Sequence, residues 1–476
     1  MQPRIDEPIV MQPGAEAPAA ALPRRSSRVD PWVPLFVVFE LLCAVGLLIP
    51  DLAQVRMLLR AATFGGSLVL LLLLRGRGKR HPAWVFAMVA MGLVWIQVLN
   101  PDTSNFTAGS AQAALYLAVM GPLFWLPRLD VDIRVLRRVA FILWVFHTAS
   151  AALGVLQVYF PGQLQPQVSS IIAGRRDYLA SLMITTSRGV RVFRPMGLTD
   201  IPGGAAISGL YAMLFGTGFF LTRRSPWMIG AAALSMVLGT TCLYLSQVRA
   251  VLVMTGIAVV AMCAILIWRR DIGRLGWLAG AALAVAVTGY SAAMYLAGPA
   301  VARRVGSLTA ARPGAVYYNE RGHFFYDALV RIAPEHPFGM GLGHWGMMAT
   351  YFGRPDDAGA NNKVWVELQW VGWIVDGGIP LAVCYFLALA VALWAMWKVA
   401  RARAPAGAPD LPFWGTVVLA HGIGAVALTF SYPIFLSQPG MEFWLLNALL
   451  FTVARHEWKR ARLAADSPPD VALAAA

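Results

Sequence analysis

Residues 226–270 read PWMIGAAALSMVLGTTCLYLSQVRAVLVMTGIAVVAMCAILIWRR, and this stretch decides the fold class. It contains two apolar blocks, 226–246 and 250–268, with almost no loop between them. Each block has about the 20 residues that a helix needs to cross the hydrocarbon core of a bilayer. Because an open strand edge in lipid would leave backbone groups without hydrogen bonds, both blocks are predicted to be transmembrane helices.

The rest of the chain repeats this pattern. Of its 476 residues, 58% are hydrophobic and 13% are charged, whereas soluble domains carry about 25% charged residues. The sequence therefore predicts an all-α membrane protein with about twelve transmembrane helices. The predicted spans are 32–50, 57–74, 82–99, 110–126, 139–160, 204–222, 226–246, 250–268, 276–297, 373–397, 413–432 and 439–454.

These spans divide the chain into regions. Both ends are rich in Pro, Ala or other small residues and are predicted to be disordered tails. A large outer loop is predicted between the ninth and tenth spans. The regions are the tail 1–31, spans one to nine in 32–297 with an outer loop at 161–203, the large loop 298–372, the last three spans in 373–462 and the tail 463–476. All four cysteines lie in predicted spans, so no disulfide framework is expected.

Charge predicts the orientation. The formal net charge is +15, and most of it comes from basic residues in alternate short loops. By the positive-inside rule, both termini are predicted to be cytoplasmic, and nucleic-acid binding is the weaker interpretation of the charge. The two long outer loops are basic as well, which suits an anionic partner such as phosphate or diphosphate. They carry Arg175, Arg176, Arg188, Arg191, Arg194, Arg303, Arg304, Arg312, Arg321, Arg331, Arg354 and Lys363.

The stretch NERGHFFYDALVRIAPEHPFGMGLGHWGMM at 319–348 is dense in titratable groups within a largely apolar chain. Its spacing predicts a helix over 320–332, which Pro334 and Pro337 are expected to end. The predicted apolar side of this helix consists of Phe324, Ala328, Leu329 and Ile332. The glycine-spaced turn that follows is able to bring backbone amides close to a ligand.

Two positions in these segments are candidates for binding an anion. Arg249 lies between two spans with almost no loop, where it is either a snorkelling arginine or a functional one. Arg321 stands beside Glu320 and His323. These three residues either form a solvated helix face or have a function. In the functional interpretation, the arginine binds diphosphate, and the carboxylate or the imidazole accepts a proton.

A second set of polar residues lies inside predicted spans. Each is a functional hypothesis by default in a membrane protein, although snorkelling near a span end is the alternative. They are Glu40, His147, Asp376, His421 and Glu442. A metal site at Asp356 and Asp357 is not predicted, because two adjacent acids among Gly and Pro are commonly a solvated turn.

Four motifs together resemble the O-antigen ligase and polymerase family, bacterial membrane glycosyltransferases that use lipid-linked glycans. The resemblance covers roughly residues 190–400. The motifs are FRPMGLTDIPGGAAI at 193–207, LSQVRAVLV at 245–253, NERGHFFYDAL at 319–329 and HPFGMGLGHWG at 336–346.

The resemblance implies a GT-C-like fold in the bacterial inner membrane and an active site that faces the periplasm. The donor would be a glycan on undecaprenyl diphosphate, and the acceptor a glycan or lipid-linked hydroxyl that attacks the anomeric carbon with inversion. Membrane lipids surround the spans. Arg249 and Arg321 match the family's diphosphate-binding arginines, and Arg194 is a weaker third. No metal or other cofactor is required if arginines stabilise the leaving group.

One position departs from the family. Asn361 stands where the family has a histidine, and asparagine cannot act as a general base at neutral pH. Either the alignment with the family slips here, or the proton goes to Glu320, His323 or His344. These three residues, with Arg249 and Arg321, make up the expected catalytic set, and the resemblance implies that the large loop 298–372 carries the catalytic face. The expected substrate-binding set is Arg191, Arg194, Arg331, Asn361 and Asn362.

Three functions remain open from the sequence. Polymerisation of lipid-linked repeat units into a surface polysaccharide is favoured, and ligation to lipid A core or another acceptor is the close alternative. A transporter or flippase of a lipid-linked glycan is the alternative of another class, since about twelve spans and intramembrane polar residues also suit transport. The large outer loop favours the enzyme, because transport sites usually lie near the bilayer midplane.

Overall fold

A computed structural model describes residues 31–76, 78–166, 168, 179, 182–186, 189–222, 225–306, 313–346 and 368–466 of the chain. These residues are mostly helical, and the long helices are numbered in chain order. They are α1 (Trp32–Gly46), α2 (Arg56–Leu73), α3 (Trp84–Gln97), α4 (Phe106–Trp125), α5 (Ile133–Tyr159), α6 (Ala205–Thr222), α7 (Pro226–Ser246), α8 (Arg249–Trp268), α9 (Ile272–Ala297), α10 (Gln369–Arg401), α11 (Leu411–Leu428) and α12 (Gln438–Ala465).

Nine helices in the described ranges, α2 and α4 to α11, are long and apolar enough to cross a membrane. Helices α1 and α3 are apolar but shorter, with 15 and 14 residues. Helix α12 begins apolar and ends in the charged segment 455–462. The class of all-α membrane protein is therefore confirmed, while twelve spans and a GT-C-like fold stay predictions.

Every predicted span falls on one of these helices, but some bounds differ. Helix α5 begins before its predicted span because Asp132 caps it, accepting hydrogen bonds from the N–H groups of Arg134 and Val135 at 2.9 and 3.3 Å. Helix α12 continues to Ala465 and so enters the segment that was predicted to be a disordered tail. Hydropathy does not detect a helix that continues beyond the apolar core, and this explains both differences.

Close helix packing depends on small residues. Helices α6 and α7 pack along each other through Gly209 and Gly239. A Cβ on Gly209 would lie 2.6 Å from the Gly239 carbonyl oxygen, so a larger side chain has no room there. This contact is typical of membrane helices, which associate through small residues that let two backbones approach.

The long connections α5–α6 and α9–α10 lie at one end of the bundle, called here the loop end. There, Gln369 at the start of α10 donates its N–H to Thr429 after α11, and its side chain accepts from the N–H of Phe435 at 2.8 Å. At the opposite end, arginines hold the helices together. Arg269 donates to the Ala400 carbonyl at 2.9 Å, and Arg137 forms an ion pair with Asp410.

The α5–α6 connection contains a small sheet that the helical pattern did not predict. Strands β1 (Met183–Thr185) and β2 (Arg191–Phe193) are antiparallel. Ile184 and Val192 point to one face and pack in an apolar cluster with Ala293 and Ala297 of α9. The cluster fixes this connection against the bundle.

The α9–α10 connection is helical from residue 313 to residue 335, as predicted for 320–332, but its turns vary. Two of its segments are π-helical, in which each backbone hydrogen bond spans five residues instead of the four of an α-helix. The segments are Pro313–Tyr317 (α), Tyr318–Gly322 (π), His323–Asp327 (α), Ala328–Ile332 (π) and Ala333–Glu335 (α). Pro334 lies inside the last turn, so only Pro337 follows the end of this helix as predicted.

Candidate functional site

A tight turn fixes Arg249. Helix α7 ends at Ser246, and Gln247 takes a left-handed conformation with a φ of 54°. Helix α8 then begins at Arg249 itself. The Ser246 hydroxyl donates to the Leu243 carbonyl at 2.7 Å and stabilises the turn. The LSQVR motif therefore places a guanidinium group at the loop end, where the side chain is only 14% exposed.

Arg249 forms an ion pair with Glu320, which is distant in the sequence. Glu320 belongs to the π-helical segment Tyr318–Gly322, and its side chain is 53% exposed. The extra residue in a π-helical turn redirects side chains relative to an α-helix, and such turns are frequent at functional sites. Two of the four motifs are thereby joined by one carboxylate–guanidinium contact.

Arg321 follows Glu320 directly and is partly buried beside Tyr317. Burial raises the pKa of Tyr317, and the nearby Arg321 guanidinium acts in the opposite direction. The Tyr317 hydroxyl donates to the Phe430 carbonyl at 3.1 Å. This bond attaches the segment with Glu320 and Arg321 to the residues that follow α11.

Aromatic packing attaches the same segment at a second point. The Phe325 ring lies 6.2 Å from the Trp370 ring and 6.1 Å from the Phe430 ring. Ala328 and Ile332 are buried as predicted, but Phe324 and Leu329 are 38% and 43% exposed. Two of the four residues predicted on the apolar side are therefore buried and two are not. The prediction assumed a regular α-helix, and π-helical turns change which residues face the same side.

His323 can accept a proton. Its Nδ1 lies 2.9 Å from the Tyr318 carbonyl oxygen, which only accepts, so Nδ1 carries the hydrogen. The ring also packs on Phe324, with centroids 3.8 Å apart. The Nε2 atom is then the basic atom of the neutral ring, one helical turn from Glu320.

Arg194 borders the same turn as Arg249. It follows β2, and its N–H donates to the Leu182 carbonyl at 3.0 Å. A Cβ on Gly203 would lie 3.7 Å from Cδ of Arg194 and 3.2 Å from Cγ2 of Val248. Since Val248 precedes Arg249, the FRPMGL and LSQVR motifs meet at Gly203.

Two predicted substrate-binding arginines have other surroundings. Arg191 is exposed on β2, opposite Thr185 in the sheet register. Arg331 makes two hydrogen bonds to Asp327, at 2.9 and 2.7 Å, and these hold the pKa of Asp327 below its usual range. Their role in substrate binding stays a prediction.

His344 belongs to a different part of the loop end. Its Nε2 donates to the Asp102 carbonyl in the α3–α4 connection, and the neighbouring Gly343 N–H donates to Gln112 at 2.7 Å. The contacts of His344 and Gly343 therefore join the glycine turn to the α3–α4 connection and to α4. Asn361 and Asn362 lie outside the described residues.

The glycine turn 338–346 packs against a break in α10. Gly377 and Gly378 have non-helical conformations, and Gly378 has a φ of 69°. The Met340 N–H donates to the Val375 carbonyl at 2.7 Å, and the Ile379 N–H donates to Pro337 at 3.2 Å. The turn was predicted to offer its amides to a ligand. That interpretation is wrong for Met340 and for Gly343, because their N–H groups bond within the protein.

Sequence reasoning missed two polar contacts that support the site. Arg60 in the first turns of α2 forms an ion pair with Asp200, which is buried within the motif at 193–207. Gln157 of α5 accepts the N–H groups of Met196 and Gly197 at 2.9 and 2.8 Å. Two features of the sequence could have indicated these contacts. Arg60 lies at the outer end of a predicted span, which is unusual under the positive-inside rule, and Gln157 is a polar residue inside an apolar span.

The assembled site is cationic and partly apolar. The Arg249 guanidinium contacts the Glu320 carboxylate. Arg321 follows Glu320 in the chain, and Arg194 borders the turn that carries Arg249. A shallow depression beside Arg249 is lined by apolar side chains, among them Leu243, Leu252 and Val305. Such an arrangement suits a ligand with an anionic group next to a hydrocarbon chain.

Comparison with known proteins leaves the function to be argued from these residues. No protein-family model matches the chain, and no curated protein matches its sequence.

Proposed function

We propose that the protein is an inverting glycosyltransferase that polymerises undecaprenyl-diphosphate-linked oligosaccharides on the periplasmic side of a bacterial inner membrane. The observation that carries the proposal is the ion pair between Arg249 and Glu320, with Arg321 next to it in the chain. It combines a group that stabilises a leaving diphosphate with a group that accepts a proton.

The arginines would act on the leaving group. When the bond between the anomeric carbon and the diphosphate breaks, the electron pair stays on the diphosphate oxygen. Fixed guanidinium groups stabilise this charge as it develops, and the effect is large because the donors are already in place. Arg249 lies at the first turn of α8, where the helix dipole also favours an anion.

Glu320 would take the proton of the acceptor. In the free enzyme it neutralises Arg249, and a bound diphosphate would replace it there. The released carboxylate would then accept the proton of the attacking hydroxyl, while the new carbon–oxygen bond forms on the face opposite the diphosphate. His323 is the second candidate base, since its Nε2 is free to accept a proton in the tautomer set by Tyr318.

The apolar depression beside Arg249 supports a lipid-linked donor over a soluble one. Helices α7 and α8, which form the turn, are long and apolar enough to cross a membrane. A polyprenyl chain could therefore lie along them in the bilayer while its diphosphate reaches the arginines at the loop end.

A reconstitution tests the proposal. Purified protein in detergent would be given undecaprenyl-diphosphate oligosaccharide without nucleotide sugar or added metal, and the products read on a gel. A ladder of longer lipid-linked glycans is expected. Consumption of the donor only when lipid A core is added would identify a ligase, which uses the same chemistry on another acceptor. Unchanged donor in both reactions would contradict the glycosyltransferase.

A transporter of lipid-linked glycans is the second candidate, and one observation favours it. Helix α10 is broken at Gly377–Gly378, directly after the buried Asp376. Broken helices with polar groups are typical of transport sites. In proteoliposomes this function would move labelled lipid-linked glycan between leaflets without forming glycosidic bonds, and a glycan ladder without movement would exclude it.

A further inference from the structure

Five titratable side chains from five helices meet inside the bundle, apart from the arginines of the loop end. They are Glu40 of α1, His147 of α5, Tyr211 of α6, His421 of α11 and Glu442 of α12, and none is more than 5% exposed. At 1.5 Å per residue, each lies about 6–18 Å along its helix from the loop end. They therefore occupy one layer within the apolar part of the protein.

Direct contacts connect these side chains. His147 Nε2 lies 3.8 Å from Glu442 Oε1. The His147 ring stacks on Tyr211 with centroids 4.3 Å apart, and the Tyr211 ring lies 4.9 Å from the His421 ring. Glu40 and Glu442 are close enough to interact electrostatically. Cys43 is the other titratable group beside Glu40.

Several polar atoms of this cluster have no hydrogen-bond partner among the described residues. These are both carboxylate oxygens of Glu40, Oε2 of Glu442 and both ring nitrogens of His421. Leaving a buried polar group without a partner costs about 1–3 kcal/mol, and more for a charged group. Unpaired buried polar atoms of this kind occur at functional groups and where ordered water binds. The described residues also contain no group of three or more His, Cys, Asp or Glu side chains placed to hold a metal ion.

The charge of the cluster depends on how many protons it holds. With both carboxyl groups ionised and both imidazoles neutral, the cluster would carry two negative charges in an apolar environment. Two added protons make the cluster neutral. His147 and Glu442 can share one of these protons, because their side chains lie next to each other. Because an uncompensated buried charge is strongly unfavourable, a cluster of this composition favours holding two protons over carrying a double negative charge.

We propose that the side chains of Glu40, His147, His421 and Glu442 form a proton-binding site inside the bundle, which exchanges protons with the loop end. Gln438, partly exposed at the start of α12, donates to Glu442 Oε1 at 3.3 Å and connects the cluster to that end. Asp376, a buried carboxyl group outside the cluster, belongs to a separate network with Tyr116 and Gln112, at 2.8 and 2.6 Å.

Infrared difference spectroscopy of the purified full-length protein tests this site directly. A protonated carboxyl group absorbs apart from a carboxylate, and its band shifts in heavy water when the proton exchanges. Spectra would be recorded from about pH 5 to about pH 9, the range in which histidine and perturbed carboxyl groups titrate. The samples would be the wild type and the variants Glu40→Gln, Glu442→Gln and Asp376→Asn.

The expected result is a deuterium-sensitive protonated-carboxyl band that decreases as the pH rises. Part of this band is lost in Glu40→Gln and in Glu442→Gln but remains in Asp376→Asn, the matched control that removes a buried carboxyl group outside the cluster. The proposal is overturned if the pH-dependent band disappears only in Asp376→Asn, or if the wild type shows no such band. The second outcome needs no variant and so does not depend on whether the variants fold.

Discussion

Replacing Arg249 with alanine separates catalysis from folding. The guanidinium pairs with a carboxylate that is 53% exposed, and ion pairs with that much exposure contribute about 0–1 kcal/mol to stability. We therefore expect the free energy of unfolding to fall by about 1 kcal/mol or less. Loss of a group that stabilises developing charge in a transition state typically costs a factor of about 100–1,000 in rate, or about 3–4 kcal/mol.

The assay is the initial rate of donor consumption in the reconstituted reaction, with thermal unfolding measured on the same preparations. Arg274→Ala is the matched control. Arg274 pairs with Asp271 at 3.1 Å, and the two side chains are 33% and 27% exposed. This pair stands at the start of α9, at the opposite end of the bundle from Arg249. We expect its removal to cost as little stability as Arg249→Ala and no activity.

Arg249→Lys tests whether the shape of the guanidinium matters in addition to its charge. Lysine keeps the charge but not the planar fork that binds two phosphate oxygens, so an activity between those of the wild type and the alanine variant is expected. The proposed role of Arg249 in stabilising the leaving group is refuted if Arg249→Ala unfolds like the wild type and still consumes donor at the wild-type rate. Equal losses of activity in Arg249→Ala and Arg274→Ala would show that the effect comes from the fold rather than from the site.

Three further predictions concern other contacts. Glu320→Gln should lower the turnover rate about 100-fold, because an amide accepts no proton. Donor binding should not weaken, because the amide competes less than a carboxylate for Arg249. Separate measurements of kcat and KM check both effects. Gly378→Ala should destabilise the protein by about 1–3 kcal/mol in thermal unfolding, since Gly378 has a φ of 69° and a Cβ would overlap Pro337. Gly230→Ala, with open space around it, is the neutral control. The Glu457 carboxylate raises the pKa of His456, so this contact should stabilise the fold below about pH 6.5 and be lost as the pH rises through the raised pKa. His456→Asn should remove that dependence from the unfolding temperature.

The positions of the long helices could be predicted from the sequence because their signal is local. About 20 apolar residues between polar ends identify a membrane helix whatever surrounds it. Helix α8 shows this well, since its predicted span 250–268 coincides almost completely with Arg249–Trp268. The predicted start of α5 was too late, because the capping Asp132 and the basic first turn carry no hydropathy signal.

The candidate site could be predicted only in part, because its contacts join distant segments. The sequence predicted Arg249, Glu320 and Arg321 as separate candidates, and hydropathy gives no means of pairing the first two. Their contact depends on the π-helical turn at Tyr318–Gly322, which redirects Glu320. The partner of Arg60 was missed for the same reason, since Asp200 lies far away in the sequence.

The exposure of Glu320 decides what the ion pair with Arg249 can do. Breaking a fully buried pair by removing one partner costs about 3–5 kcal/mol, so a ligand would rarely displace a buried carboxylate. Glu320 is half exposed, so its ion pair with Arg249 contributes only about 0–1 kcal/mol to stability. This contribution is small beside the binding free energy that a doubly charged diphosphate would gain from contact with a largely buried guanidinium. The pair can therefore keep Arg249 in place in the free protein and still open when the donor arrives. Under the proposed function, the carboxylate released from Arg249 would be the base that accepts the proton of the attacking hydroxyl.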